Sequence, residues 1–385
     1  MSKLAKQKIG IIDADLIGRK KHRFPNLACM KISSWYKKQG DHVELLLDYD
    51  TVLNYDKVFI SKVFTDTEVP GEIIGLPWVE YGGTGFYYDK AKPLDYEIEH
   101  SMPDYHLYDD FINAQIERAV ADCEDDDNRE SAYRKKRKEF EYYLDFSIGF
   151  TTRGCIRGCS FCVNKNYRQC LRHSPVSEFL DENRKYICLL DDNVLSCRDW
   201  KDIFQELNAT GKRFQFKQGM DERLLTDEKC EIVFNSNWIG DYIFAFDNIK
   251  DARLVERKLE IIRNHTDKVP KFYCFCGYNH DAPDTYPEEF WAKDIADLFE
   301  RIRILMQHRA LPYIMRYKDY ELSPYKGIYI TVARWCNQPS FFKKKTFREF
   351  CEANGENSSA NRYLKQFETD CPNIAEKYLD MRWGE

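Results

Sequence analysis

The chain has 385 residues, 43% hydrophobic and 32% charged, with 58 basic against 64 acidic side chains for a net charge of −6. That length buries a large core and has room for two domains. Mean hydropathy is −0.63 and no apolar run reaches the roughly 18 residues of a spanning helix, while the acidic balance gives no overall attraction for nucleic acid or anionic membranes, so the reading is a soluble, cytoplasmic protein with neither as a partner.

In chain order, residues 8–13 form a short apolar run ending in Asp13, as a parallel strand does. The N-terminus lacks the apolar length and small-residue cleavage site of a signal peptide. Pro25 stands where a helix begins, and Leu27, Met30, Ser34 and Trp35 carry a helical stripe to Gly40. Residues 42–47 and 57–64 read as further strands. The alternation predicts a small Rossmann-like α/β domain over 1–108. Near its end lies Gly82-Gly83-Thr84-Gly85, a turn that lets a backbone approach a ligand closely. Over 109–144, Asp125, Asp126 and Asp127 precede Arg134, Lys135, Lys136, Arg137 and Lys138. An acidic block followed by a basic one reads as an exposed, charged helical linker.

From 145 to 335 the alternation resumes, with candidate strands at 146–151, 186–191, 214–217, 242–246, 271–276 and 312–317 and helices between most of them. Six strands with intervening helices predict a partial parallel (β/α)6 barrel. The tail, 336–385, reads as a helical extension packing on that barrel. Its Phe341-Phe342-Lys343-Lys344-Lys345 run sets aromatic beside basic. Such a run occurs in nucleic-acid contacts, but an exposed helix face is the simpler reading.

Fourteen cysteines stand out. In a large chain without a secretory signal most are reduced core residues. Three are clustered: Thr151-Thr152-Arg153-Gly154-Cys155-Ile156-Arg157-Gly158-Cys159-Ser160-Phe161-Cys162 spells Cys-x3-Cys-x2-Cys at the carboxyl end of a predicted strand, where barrel chemistry sits. Thiolates converging from one loop suit an iron–sulfur cluster or zinc. Three ligands leave one iron of a 4Fe-4S cluster open to a substrate. Zinc would take Cys170 or His173 as its fourth ligand. A Cys-x-Cys pair, Cys274 and Cys276, faces one side of a predicted strand, and with Cys336, Cys351 or Cys371 is a weaker candidate for an auxiliary cluster.

The triad, with aromatic Phe161 before its last cysteine, resembles the radical S-adenosylmethionine (SAM) superfamily, and the resemblance extends over roughly 145–335. It implies a 4Fe-4S cluster on Cys155, Cys159 and Cys162 whose open iron is chelated by the amino and carboxylate groups of SAM. One electron then breaks the C5′–S bond and gives a 5′-deoxyadenosyl radical, with the protein positioning the reactants and excluding water and oxygen. It also implies a polar motif after the second strand for the SAM amino group, carried here by Asp191, Asp192 and Asn193 rather than the common Gly-Gly-Glu. Gln218, Asp221 and Arg223 after the third strand are candidates for the SAM ribose or carboxylate, Arg being suited to a bidentate contact. Asp247 and Asn248 close the fourth strand in the same style. Tyr278, Asn279 and Arg316 are candidates for a substrate cavity. No catalytic residue is singled out. An electron donor such as flavodoxin or ferredoxin and an unidentified substrate complete the expectation.

An α/β domain ahead of such a core resembles cobalamin-dependent radical SAM enzymes, and Gly82-Gly83-Thr84-Gly85 is placed like the glycine turn those domains use near the corrinoid. The Asp-x-His-x-x-Gly motif of other cobalamin proteins is absent, and the reading favours no cobalamin. The residues Ile9 to Asp15, the helix start Phe24-Pro25-Asn26-Leu27-Ala28, the glycine turn and the cysteine loop together resemble a group of bacterial and phage-associated radical SAM proteins. The alternatives are a cobalamin-dependent radical SAM methyltransferase and a zinc-binding protein without enzymatic activity.

Overall fold

The computed structural model describes residues 6–123, 125–164 and 167–384. They form two compact units: Met1–Cys155, Cys162–Asp191 and Gln205–Gln215 in the first, and Ile156–Phe161, Asp192–Phe204 and Phe216–Glu385 in the second.

The first unit opens with a parallel four-stranded sheet in the order His42–Leu45, Lys8–Asp13, Lys57–Ser61, Val79–Gly82. Ile9, Ile11 and Ile12 are fully buried, as a parallel strand covered on both faces requires. The helix Leu27–Gln39 starts where the Asn26 side chain accepts the Cys29 N–H at 3.3 Å and stops at Gly40, whose φ is +90°. One sheet face packs Ile9, Ile11, Met30 and Phe59 with Tyr105, Tyr108, Ile112, Phe140 and Tyr143. The other packs Ile12, Leu46, Val52, Val58, Ile60 and Val79.

The charged segment is helical. Asp109–Ala121 buries Ile112 and Ile116, whereas Asp126–Glu139 buries nothing. The second helix suits its ends electrostatically: Asp125 caps the Asp127 and Asn128 N–H groups, Asp126 and Asp127 sit in the first turn, and Lys136, Arg137 and Lys138 in the last. Tyr105 joins this part of the chain to the next strand, its hydroxyl accepting from Ile148 N at 2.8 Å and donating to Phe179 O at 2.6 Å. Buried Arg184 adds a bond to Tyr105 O at 2.8 Å. The N-terminal sheet therefore shares its compact unit with Phe146–Gly149 and Tyr186–Leu189, which pair in parallel. Arg213–Phe216 extends that second sheet to three strands.

In the second unit Ile243–Ala245, Lys271–Cys276 and Leu311–Arg316 form a parallel three-stranded sheet. The helix Ala252–His265 buries Val255, Leu259 and Ile262, and Glu288–Gln307 buries Trp291, Ile295, Leu298, Phe299 and Ile302, the spacing of a one-sided apolar stripe. Arg301, also on that helix and almost fully buried, donates from Nη1 to Phe246 O at 2.8 Å and to Phe275 O at 2.9 Å, fixing the carboxyl ends of two strands. The six expected strands are thus present in two three-stranded sheets.

The structure also places two features marked in the sequence. Cys274 and Cys276 share a side of their strand, and that side is core; burial pushes the Cys274 thiol up to about 12 and also raises the Cys276 thiol well above its ordinary value. Both donate to backbone carbonyls, of Phe272 and Met315, as buried packing groups do. The Phe341–Lys345 run is not a free aromatic–basic face: Phe342 is fully buried against Trp335, and Phe341 packs on Phe350. No helix among the described residues is long and apolar enough to cross a membrane.

Candidate active site

The cysteine loop leaves a short antiparallel ribbon, Thr152–Arg153 with Leu171–Arg172. Asp191, fully buried at the end of the neighbouring strand, anchors it. Its Oδ2 accepts from Thr151 Oγ1 at 2.6 Å, Thr152 N at 2.6 Å and Thr152 Oγ1 at 2.7 Å, and its Oδ1 accepts from Thr151 N at 2.9 Å. Burial raises this carboxyl, and the Thr151 and Thr152 bonds work against the rise. Gly154 follows at φ +96°, where a Cβ would lie 2.1 Å from Gln169 O, so only glycine admits this close approach.

Ten of the fourteen cysteines are buried; Cys155, Cys159 and Cys162 are half-buried, with Cys123 the fourth. Their partial exposure suits the loop's expected role. Among the described residues no three His, Cys, Asp or Glu side chains stand close enough together to hold a metal ion as they are. The two candidate fourth ligands for zinc have these surroundings. Cys170 is buried. His173 has Nδ1 2.9 Å from Ser174 Oγ and Nε2 3.5 Å from Glu99, its ring stacks on His100, and burial with the Arg153 charge pushes it down to about 4.

Within the second unit a cavity of about 340 Å³ is lined by Gly158 to Phe161 of the loop together with Arg223, Ala245, Asp247, Asn248, Lys250, Asp251, His280 and Asp281. Five residues singled out from sequence, Cys159, Phe161, Arg223, Asp247 and Asn248, meet here. Phe161 is held by Phe275 at 4.4 Å, Tyr278 at 5.6 Å and His280 at 5.8 Å between ring centroids. Asp247 accepts the Phe275 N–H at 3.0 Å, and burial raises its carboxyl. Asn248 caps the Lys250 N–H.

Other candidates have different surroundings. Asp221 is buried and accepts from Arg157, Arg223 and Asn193. Asn193 is buried, Asp192 half-buried and Gln218 exposed. Tyr278 is buried in the aromatic cluster with Tyr317, Asn279 accepts the Asp281 and Ala282 N–H groups in a turn, and Arg316 stacks on Tyr320. Sequence reasoning passed over Lys250, Asp251, His280 and Glu222. The first three follow strand ends and share the signal that marked Asp247. Glu222, between two residues singled out, accepts the Ala245 N–H at 3.3 Å, and burial with the adjacent Asp221 charge pushes it up to about 8.

The glycine turn of the first unit spends its conformational freedom on its own chain. At Gly83, φ +101°, a Cβ would lie 2.3 Å from Lys62 O, and at Gly85 one would lie 2.7 Å from Phe64 O and Lys62 Cγ. Lys62 is buried, donating to Thr67 O at 2.7 Å, and buried Asp15 accepts from Val63 N at 2.6 Å and Thr67 Oγ1 at 2.5 Å. The space these glycines open is thus taken by Lys62 and Phe64 of the same chain.

No protein-family model and no curated protein matches the chain. Among solved structures, it resembles the radical SAM methyltransferase TsrM of Kitasatospora setae with cobalamin and a 4Fe-4S cluster bound, at 11% identity over 81% of this chain and 75% of that one, with a TM-score of 0.50. The same enzyme with tryptophan and a SAM analogue gives 11% identity, 80% and 72% coverage and 0.49. The cobalamin-dependent radical SAM enzyme OxsB gives 11% identity, 97% and 56% coverage and 0.35. At such identity the likeness to TsrM establishes architecture alone: the chain has an α/β fold related to the radical SAM barrel.

Proposed function

We propose that this chain is a cytoplasmic radical SAM enzyme, its six strands closing a partial (β/α)6 barrel and Cys155, Cys159 and Cys162 holding a 4Fe-4S cluster. The observation that carries this reading is one loop whose three cysteines escape the burial of most others and whose Cys159 and Phe161 line a cavity walled by Arg223, Asp247 and Asn248. When bound, the cluster and SAM supply a 5′-deoxyadenosyl radical, given one electron from a donor such as flavodoxin or ferredoxin, that takes a hydrogen atom from substrate. The chain's residues do the rest. Asp191 holds Thr151 and Thr152 at the root of the loop. Phe161 offers an aromatic wall, and Arg223, Asp247 and Asn248 offer charged and amide groups to the polar ends of a ligand such as SAM. Anaerobic reconstitution with iron and sulfide, followed by iron, sulfide and zinc analysis, tests the ligand set: a 4Fe-4S cluster lost in all three cysteine variants supports it, and zinc without sulfide refutes it.

A cobalamin-dependent methyltransferase is the second reading, favoured by the fold shared with TsrM. The glycine turn, packed on Lys62 and Phe64 of its own chain, is the observation against it. Corrinoid absorbance retained after reconstitution with cobalamin would decide for it.

A further inference from the structure

Arg157 lies inside the cysteine loop, two residues from both Cys155 and Cys159. The loop's middle, Ile156–Phe161, belongs to the second unit. There Arg157 Nε donates to Asp221 Oδ2 at 2.7 Å, and the Asp221 side chain is only 5% exposed. The same carboxylate takes Arg223 Nε on Oδ1 at 2.7 Å and Asn193 Nδ2 on Oδ2 at 3.3 Å, while Arg223 Nη1 reaches Asp251 at 3.1 Å. Burial alone would raise Asp221; Arg223 and Arg157 overcome it and hold the carboxyl below its ordinary range. Both arginines are thus engaged by one buried carboxylate. Charge-assisted bonds of this length in a mostly buried site are the strong kind, and loss of the shared acceptor leaves two cations facing each other.

We infer that Asp221 is a positioning residue: through Arg157 it clamps the middle of the cysteine loop, and through Arg223 it ties that loop to the wall of the cavity. The inference rests on the radical SAM reading for its consequence, since a loop held still presents its thiolates in one arrangement. It departs from the sequence expectation that Asp221 contacts SAM directly. Outer partners that orient ligands typically change metal affinity about 10–100-fold when removed.

The test compares wild type, Asp221→Asn, Arg157→Gln and the double variant. In the metal-free chain, amide hydrogen exchange across 156–161 is expected to quicken about tenfold or more in each single variant, with no further gain in the double variant. After anaerobic reconstitution, release of iron to a chelator is expected to quicken about 10–100-fold in the same three proteins, while the metal-free melting temperature of Arg157→Gln stays near wild type. Unchanged loop exchange in both single variants, or additive effects in the double, overturns the clamp. A wild type that takes up no 4Fe-4S cluster overturns the radical SAM reading instead, and the exchange measurement still decides the clamp.

Discussion

Asp191→Asn is the sharpest perturbation of the loop's root, because it keeps the size of the side chain and removes only its charge and one acceptor. In the structure three donors meet Oδ2 and one meets Oδ1. If the amide oxygen keeps the three-donor side, its NH2 group faces the Thr151 N–H, which was 2.9 Å from Oδ1. An unsatisfied buried N–H costs about 1–3 kcal/mol, and three bonds reduced from charge-assisted to neutral lose about 0.5–1 kcal/mol each. Relief of the burial penalty on the charge offsets part of this, leaving a net loss of about 2–4 kcal/mol. Urea unfolding of the metal-free chain reads it, with the slope checked for constancy. A loss below about 0.5 kcal/mol, or weakened SAM affinity with unchanged stability, would refute the anchoring role and return Asp191 to the SAM amino group.

Cys155→Ala, Cys159→Ala and Cys162→Ala are each expected to abolish the 4Fe-4S spectrum, whereas Cys170→Ala, at a buried position, keeps it; iron and sulfide analysis checks both. Gly154→Ala places a Cβ 2.1 Å from Gln169 O at a positive φ, so it is expected to lower the melting temperature and iron uptake together. Glu222 has a folded-state pKa of about 8 against an ordinary 4.5. The folded state therefore binds the proton more tightly, and this group's contribution falls as pH rises from 4.5 to about 8. Glu222→Gln is expected to flatten the melting-temperature profile across that window, and an unchanged profile would show that Glu222 is ionised in the folded state.

What was legible in the sequence depended on local pattern. Apolar runs marked the six strands, and the spacing of three cysteines marked the loop, because both signals lie within a few residues. The strand Val79–Gly82 went unseen since its last residue is part of a glycine cluster that reads as a turn. The same cluster promised room for a ligand, yet the backbone it admits is that of Lys62, and nothing local foretells that pairing. Asp221 was marked by its place after a strand, but its partner Arg157 lies 64 residues away and no local pattern foretells that pair. Arg301 was invisible for a similar reason: an arginine on a long helix reads as a solvated charge until two strand ends, at Phe246 and Phe275, are seen to need its donors.

The most direct measurement is anaerobic reconstitution with iron and sulfide, then addition of SAM and dithionite, assayed for 5′-deoxyadenosine. The radical SAM reading expects that product from wild type and none from the variant lacking Cys155, Cys159 and Cys162. Bound zinc with no cluster and no 5′-deoxyadenosine would contradict it.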